Sequence, residues 1–351
     1  MPIKHSARML GFVAVLVLFG AAPLPTASAQ TADRPTPPRL VLANYFPWYD
    51  PHTWSTGCTV ADQPRDGVYH SDDAEVIARH IAQARAARID GFAVHWFAPG
   101  NRTDVNLVQV LDLAPEGFSA TVTFLNHILP ETKQADVQAA LQFLLARHAN
   151  HPRFLRIAGR PVIFFSDLYR VPDDAGKRLN SDRNPTVAVE RWAQIRQAVD
   201  PQRTTWWIAE GLRPEYLAVF DGLYVYKVDH ACCPTAYRSA PRWAKWVRDW
   251  EQRTQQPKLW VGTVMPGWDD RNTAQPQCAD LRVSSAPFAR DREQGAYYAR
   301  TWAAVLPTQP DLVIIHSFNE WLEGSYIEPS LRFGDFYVQL TAQWVKRYKG
   351  E

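Results

Sequence analysis

The stretch Leu312-Val313-Ile314-Ile315-His316-Ser317-Phe318-Asn319-Glu320-Trp321-Leu322-Glu323-Gly324 passes from four apolar residues into polar, aromatic and acidic ones. A short apolar run is typical of a buried parallel strand, and in a β/α barrel the residues just after each strand line the active-site mouth. Glu320 and Glu323 are three residues apart, so in a helical turn they lie on one face, roughly 5 to 6 Å apart. The stretch therefore predicts a barrel strand that ends in two acids facing a pocket.

The alternative interpretation is that residues 319–324 form a polar turn that caps a strand, with solvated glutamates and a buried tryptophan. Against it stands the density of hydrogen-bonding and aromatic groups in this one loop, which is more typical of a sugar site than of a solvent-facing connection.

The N-terminus has the three parts of a secretory signal. Lys4 and Arg8 precede an apolar segment over residues 10–22, and Ala27-Ser28-Ala29 follows as a small-residue cleavage site. The apolar segment is shorter than the roughly 20 residues that span a bilayer as a helix. We expect a signal peptide over residues 1–29, cleaved near Ala29, and a secreted or periplasmic protein without stable membrane insertion.

Charge and length bound the class of protein. The chain of 351 residues has a formal net charge of +2, and loss of the signal peptide with its two cations brings this to zero. A neutral chain gives no electrostatic reason to expect nucleic acid as a partner. After a Pro-rich leader over residues 30–38, residues 39–349 suit one barrel domain. We expect a monomer with no cofactor and no metal.

Beyond the leader, short apolar runs alternate with longer amphipathic ones, which is the pattern of repeated β/α units. The predicted strands cover residues 40–46, 91–97, 120–126, 161–166, 204–210, 222–228, 258–264 and 312–318. Helical segments are predicted over residues 73–88, 104–113, 133–147, 187–199, 214–219, 241–253, 290–305 and 334–348. The α/β alternation predicts a single closed (β/α)8 TIM barrel.

Four cysteines remain after export, namely Cys58, Cys232, Cys233 and Cys278. An even number of cysteines in an exported protein favours disulfides. Because a ring closed across one peptide bond is strained, we expect Cys232 and Cys233 to pair with Cys58 and Cys278 rather than with each other. The alternative is a zinc site that includes His230, although the spacing matches no standard ligand pattern.

Acidic and aromatic side chains converge where the predicted strands end. Flat rings that pack on the apolar faces of a sugar, with carboxylates and amides that bind its hydroxyls, form a carbohydrate site. The candidate substrate-binding residues are Tyr45, Trp48, His95, Trp96, Asn126, His127, Asp167, Tyr169, Glu210, Trp268, Asp269, Asn319 and Trp321. The alternative for the tryptophans is core packing, and for the histidines a satisfied buried position. We expect a polysaccharide or oligosaccharide substrate.

The placement of the acids limits the mechanism. Retaining barrel glycosidases commonly place acid and nucleophile on different strands, about 5 to 5.5 Å apart across the scissile bond. Here the fourth strand ends in Ser166-Asp167, without the glutamate that many such enzymes use as the acid. Two glutamates on one turn suit another route, in which one takes the proton of the sugar's 2-hydroxyl and the other protonates the leaving oxygen. That route needs O2 trans to the leaving group, as in an α-mannoside.

Several motifs follow one another in order along residues 40–348. They are Tyr45-Phe46-Pro47-Trp48-Tyr49, Tyr69 with Ser71 and Asp73, Ile89-Asp90-Gly91-Phe92, His95-Trp96-Phe97, Gly159-Arg160-Pro161-Val162, Met265-Pro266-Gly267-Trp268-Asp269-Asp270 and Asn319-Glu320-Trp321-Leu322-Glu323-Gly324. Together they resemble glycoside hydrolase family 99, the endo-α-mannosidases and endo-α-mannanases, and the family-99-like barrels. The resemblance implies a retaining glycosidase in which Glu320 is the base on the 2-hydroxyl and Glu323 the general acid/base, through a 1,2-anhydro sugar.

Some positions depart from that family's pattern. Leu322 stands where endo-mannosidases often have histidine, Ser325-Tyr326 replaces a usual Thr-Gln pair, and Asn126-His127 and Ser166-Asp167 stand where a glutamate and Tyr-Asp are usual. These changes keep both glutamates but alter their surroundings. Two alternatives therefore stay open: a glycan-binding barrel without turnover, and a family-99-like protein of polysaccharide biosynthesis. The export signal and the lack of a nucleotide-phosphate loop weigh against the second.

Overall fold

A ring of eight parallel strands forms the centre of the computed structural model, which describes Met1 and residues 39–59, 62–125, 132–278 and 286–351. The strands are β1 (Leu40–Tyr45), β2 (Gly91–Trp96), β3 (Ser119–Leu125), β4 (Arg160–Ser166), β5 (Trp206–Glu210), β6 (Gly222–Tyr224), β7 (Leu259–Val264) and β8 (Leu312–Ile315). Each pairs in parallel with the next, and β8 pairs with β1, so the ring closes. The predicted (β/α)8 barrel is confirmed.

Helices pack around this ring. Among the described residues the α-helices are α1 (Pro51–Ser55), α2 (Ala74–Ala86), α3 (Arg102–Leu113), α4 (Gln134–Arg147), α5 (Thr186–Val199), α6 (Ala240–Thr254), α7 (Ala296–Val305) and α8 (Phe336–Lys349). Helix α2 illustrates how the sequence forms these helices and packs them on the ring. Asp73 caps its N-terminus by accepting the Glu75 N–H, and Val76, Ile77 and Ile81 form one buried stripe.

Several predicted elements differ from the structure. Strand β6 ends at Tyr224 and not at the predicted 228, and α7 begins at Ala296 and not at the predicted 290. Residues 214–219 were expected to form a helix, but only a 3₁₀ helix, Pro214–Ala218, joins β5 to β6. The connection over residues 211–221 is shorter than the dozen or so residues that a helical crossover needs. Strand β8 also ends three residues before the predicted 318, because Ser317 leaves the ladder and donates its N–H to the Ser325 carbonyl at 2.9 Å.

Three predictions fall outside the described residues: the signal peptide over 1–29 with its cleavage site near Ala29, the leader over 30–38, and the positions of Asn126 and His127. In the part of the chain that the structure does describe, no helix is long and apolar enough to cross a membrane.

The cysteine pairing that we expected from the sequence is wrong. Cys58 and Cys278 form a disulfide with a Cα–Cα distance of 5.6 Å, and Cys232 is joined to Cys233. Cys58 and Cys278 lie buried side by side between the loops that follow β1 and β7, whereas Cys232 and Cys233 are exposed in the loop after β6. Within the described ranges no group of three or more His, Cys, Asp or Glu side chains could hold a metal ion.

Candidate active site

The chain folds into a tight turn directly after β8. This acidic turn, residues 316–325, is closed by the Ser325 N–H, which donates to the Glu320 carbonyl at 3.2 Å. The Ser317 hydroxyl accepts the Glu320 N–H at 2.8 Å. Glu320 is 3% exposed and Glu323 is 0% exposed, so these carboxylates are buried and not the solvated side chains of a surface turn.

A tyrosine in the loop that follows β1 holds the Glu320 carboxylate. The Tyr49 hydroxyl donates to Glu320 Oε1 at 3.0 Å and accepts the Trp321 N–H at 2.8 Å. The Leu322 N–H donates to the same Oε1 at 3.0 Å. Burial, followed by the nearby Glu320 charge, raises the pKa of Tyr49 well above its ordinary value, so Tyr49 stays protonated as a donor.

Glu323 is held by two other side-chain donors. Its Oε2 lies 2.9 Å from His316 Nε2 and 3.0 Å from the Tyr226 hydroxyl, which donates to it. His316 Nδ1 faces the Asn44 amide nitrogen at 3.1 Å. Because an amide nitrogen can only donate, Nδ1 accepts from it, and the proton of a neutral imidazole sits on Nε2, facing Glu323. The Glu323 carbonyl also accepts the Asp269 N–H at 2.7 Å.

Aromatic rings surround these two acids. Tyr226 lies 4.1 Å from His316 and 5.8 Å from His95, measured between ring centroids. Trp268 stacks 5.7 Å from His316, and Trp48 packs edge-on to His95 at 5.9 Å. Trp48 and Tyr226 are half-buried, so their rings have surface that a ligand could contact. The ends of β1, β2, β6, β7 and β8 therefore meet around the acidic turn.

A second pair of carboxylates lies at the ends of β4 and β5. The Ser166 hydroxyl donates to Glu210 Oε2, and the Asp167 N–H donates to the same oxygen at 3.0 Å. Burial first, and then the Asp167 charge, raise the pKa of Glu210 to about 7. Tyr169, one turn further on, is half-buried, and its hydroxyl accepts from Arg170 at 3.0 Å.

Three predicted substrate-binding tryptophans, Trp96, Trp268 and Trp321, are buried, and Trp268 keeps only 1% of its surface exposed. Trp96 donates its indole N–H to Asp104 at 2.9 Å, and Trp321 donates to Glu328 at 2.9 Å. Neither of these two rings has exposed surface. In this structure both rings pack in the interior, and Trp321 anchors the acidic turn from behind.

Asn319 and Tyr45 are interior residues too. The Asn319 amide binds the backbone of Phe46 twice, accepting its N–H at 2.8 Å and donating to its carbonyl at 3.0 Å. The Tyr45 hydroxyl lies 3.1 Å from His80 Nδ1 on α2. Asn319 thereby fixes the acidic turn against the end of β1.

An open groove of about 1490 Å³ runs past the acidic turn. Its lining includes Trp268, Asp269, Gly324 and Tyr326. Asp269 is half-buried there and forms an ion pair with Arg271 at 2.7 Å. Of the acidic turn only Gly324 lines this groove, and neither Glu320 nor Glu323 does.

Three residues that hold the acids, Tyr49, Tyr226 and His316, were not among the site residues predicted from the sequence. Tyr49 stands in the first quoted motif, and His316 directly follows β8, so both positions carried some signal. Tyr226 follows β6 with nothing to mark it, because its partner Glu323 is 97 residues away.

Comparison with known proteins gives consistent results. The family model "Glycosyl hydrolase family 99" matches residues 51–350. A glycoprotein endo-alpha-1,2-mannosidase of Rattus norvegicus is 27% identical over 317 residues, which cover 82% of this chain and 64% of the relative. A glycoprotein endo-alpha-1,2-mannosidase-like protein of Homo sapiens is 25% identical over 314 residues, 81% of this chain and 64% of the relative. The match thus spans just under two thirds of these relatives.

Among solved structures, the GH99 endo-alpha-mannosidase from Bacteroides thetaiotaomicron, in complex with Bis-Tris propane, is similar with a TM-score of 0.71. It is 22% identical, and the match covers 89% of this chain and 97% of that one. At this identity the likeness shows the shared barrel fold.

Proposed function

Because this chain belongs to glycosyl hydrolase family 99, we propose that it is a retaining glycosidase that cleaves α-linked glycans, with α-mannans as the first candidates. The observation that carries the proposal is the pair of buried glutamates on one turn, each with its own donors. Tyr49 holds Glu320, and His316 with Tyr226 holds Glu323. Relatives named as endo-alpha-1,2-mannosidases support the choice of α-mannosides.

In the proposed reaction Glu320 takes the proton of the sugar's 2-hydroxyl, and O2 attacks the anomeric carbon. The bond from that carbon to the leaving oxygen breaks while Glu323 gives its proton to the leaving oxygen. Water then opens the 1,2-anhydro ring at the anomeric carbon, with Glu323 accepting a proton from water and Glu320 returning one to O2. Two inversions at the anomeric carbon give net retention.

The fixed donors suit this division of roles. Catalytic groups must be held within a fraction of an ångström of the productive geometry, and burial in a packed turn with directed hydrogen bonds does so. Glu320 and Glu323 receive tyrosine donors from the loops after two different strands, β1 and β6, so each can be oriented independently of the other.

We propose that the sugar is bound by residues at the C-terminal ends of the barrel strands that keep exposed surface, and that the buried His95 and Trp268 support them. Ring stacking by Trp48 and hydrogen bonding by carboxylates would serve the apolar face and the hydroxyls of a sugar. The residues proposed for this role are Trp48, Asp167, Tyr169, Glu210 and Asp269. Trp96, Trp321, Asn319 and Tyr45 are proposed to support the site from the interior.

We further propose that the protein is exported. The segment from Lys4 to Ala29 has the pattern of a signal peptide. The Cys58–Cys278 disulfide supports an oxidising compartment, where such bonds persist.

The test uses residues 30–351 with a panel of α-mannans, α-glucans and mixed bacterial polysaccharides, and follows new anomeric protons by NMR. Wild-type protein should release product of retained configuration. Glu320→Gln and Glu323→Gln should each lose activity by roughly three orders of magnitude or more, with an unchanged circular dichroism spectrum.

Calorimetric titration of the same glycans separates the outcomes. Saturable binding without product from any substrate would replace the glycosidase with a glycan-binding barrel. Full activity in both glutamine variants would remove the assigned pair, and product of inverted configuration would remove the 1,2-anhydro route.

A further inference from the structure

A buried carboxylate outside the proposed catalytic pair lies directly behind the acidic turn. Glu328, three residues beyond the turn, is 5% exposed. Its Oε1 lies 3.1 Å from His80 Nε2, and its Oε2 accepts from the Tyr69 hydroxyl at 3.0 Å and from the Trp321 indole N–H at 2.9 Å. Three groups from three separate segments therefore converge on one carboxylate.

Two of these contacts, those with Trp321 and Tyr69, lead toward the proposed catalytic glutamates. Trp321 stands between Glu320 and Glu323, and its backbone N–H donates to the Tyr49 hydroxyl that holds Glu320. On the other branch, the Tyr69 hydroxyl accepts from the Asn319 amide at 3.3 Å. Asn319 precedes Glu320 and ties the turn to β1.

We infer that Glu328 is a positioning residue that sets the geometry of Glu320 and Glu323 through the Trp321 indole. This inference rests on the proposed function for its kinetic readout. A charged acceptor binds an indole N–H more strongly than a neutral acceptor does. A buried N–H without an acceptor is costly in free energy, so the conformation that pairs the Trp321 indole with Glu328 is favoured. The Trp321 ring also stacks on Tyr326, the residue that follows the turn, with 3.8 Å between the ring centroids.

Asp221 provides a matched control at the opposite end of the barrel. It is also a 5% exposed carboxylate, and it accepts from Arg196 at 2.8 Å, from Arg203 at 3.1 Å and from the Trp207 N–H at 3.0 Å. It directly precedes β6, so it lies at the N-terminal end of the strands. Loss of its charge should destabilise the fold without reaching the acidic turn.

The kinetic test compares Glu328→Leu, Glu328→Gln and Asp221→Asn on the glycan that wild-type protein hydrolyses. Glu328→Leu should lower kcat by about 10- to 100-fold while KM changes less than about threefold, because the acids are displaced more than the sugar-binding surface. Glu328→Gln should recover part of that loss, since its amide oxygen can still accept from Trp321. Asp221→Asn should keep kcat within about twofold.

A double-mutant cycle tests the route through the indole. Trp321→Phe removes the N–H while keeping an aromatic ring, and it remains usable if Glu328→Leu does not fold. If Glu328 acts through Trp321, Glu328→Gln in the Trp321→Phe background should lower kcat much less than it does in wild type. Fully additive effects would contradict this route.

A second readout does not depend on turnover. The carboxyl ¹³C resonances of Glu320 and Glu323, assigned by loss of signal in Glu320→Gln and Glu323→Gln, should shift in Glu328→Gln and stay in place in Asp221→Asn. Unchanged resonances together with wild-type kcat in Glu328→Gln and Trp321→Phe would overturn the inference. If the resonances shift but wild-type protein hydrolyses no glycan, the positioning role stands and the proposed function fails.

Discussion

The Tyr49 hydroxyl donates to Glu320 Oε1 at 3.0 Å and at the same time accepts the backbone N–H of the next residue in the turn, at 2.8 Å. These two residues are 271 positions apart in the chain. A single hydroxyl therefore fixes both the carboxylate of Glu320 and the backbone beside it.

Removal of that hydroxyl should reduce turnover. A hydrogen bond to a charged group contributes about 1.5–3 kcal/mol, which corresponds to roughly a 10- to 100-fold change in rate. We expect Tyr49→Phe to lower kcat by such a factor with little change in KM, measured on the hydrolysed glycan. The control is Tyr298→Phe, another fully buried tyrosine whose hydroxyl lies 3.2 Å from Thr341 between α7 and α8. Equal losses in both variants would point to a general packing effect.

Tyr226→Phe should have a different signature, because Tyr226 donates to the proposed acid Glu323. Weaker protonation of the leaving oxygen matters most when the leaving group is a sugar hydroxyl and least when it is an activated phenol. We expect Tyr226→Phe to lower kcat/KM on both α-mannan and a nitrophenyl α-mannoside. The loss on α-mannan should be at least about tenfold larger than the loss on the nitrophenyl substrate. Tyr49→Phe should affect both substrates alike. The reverse pattern would exchange the roles of Glu320 and Glu323.

Glu210 should make stability depend on pH. Its pKa is raised from 4.5 to about 7, first by burial and then by the Asp167 charge. Between these pH values the folded protein holds a proton that the unfolded chain has released, so the free energy of unfolding falls as pH rises from about 4.5 to about 7. Urea unfolding at pH 5 and pH 8 should show a fall, on the order of 1–3 kcal/mol, that Glu210→Gln lacks.

Other groups also titrate in this range, so the comparison needs a control. Glu116 is an exposed glutamate, and Glu116→Gln should keep the wild-type dependence on pH. Asp167→Asn removes the second cause of the shift and should reduce the fall. The same fall in Glu210→Gln as in wild type would show that Glu210 titrates at its ordinary pKa.

The two cysteine pairs should differ in their effect on stability. The Cys58–Cys278 disulfide closes a loop with a sequence separation of 220 and packs in the cluster that holds Trp321 and Tyr326. Replacing both cysteines with serine should lower the free energy of unfolding by about 2–5 kcal/mol and reduce activity. Replacing Cys232 and Cys233 should cost less than about 1 kcal/mol, because that pair closes almost no loop. Comparable losses by urea unfolding would contradict this order.

Export makes a prediction about the mature N-terminus. When the full chain is produced in a bacterial host with a Sec pathway, the exported protein should begin at Gln30, after the Ala27-Ser28-Ala29 site. Mass spectrometry of the periplasmic and medium fractions checks this. Replacing Lys4 and Arg8 with glutamate should retain the precursor in the cytoplasm, whereas an intact chain in the exported fractions would contradict the cleavage site.

The sequence by itself determined the barrel and the identity of the acidic turn. Strand and helix periodicities depend on neighbours within a few residues, so the runs around Leu40–Tyr45 and Leu312–Ile315 could be recognised locally. Ordered motifs placed Glu320 and Glu323 on one turn after the last strand. The α-helix predicted before β6 is absent because the connection from β5 is too short for one. Local helix propensity gives no information about the length of a connection.

Only the tertiary structure decided how the turn is held and which rings face outward. Tyr49 reaches Glu320 and Tyr226 reaches Glu323 because closure of the ring brings the ends of β1, β6 and β8 together. Burial likewise depends on the whole fold, so Trp321 sits in the interior on Glu328, while Trp48 stays half-exposed. The cysteine pairing followed the same rule, because it depends on which loops meet in space and not on spacing along the chain.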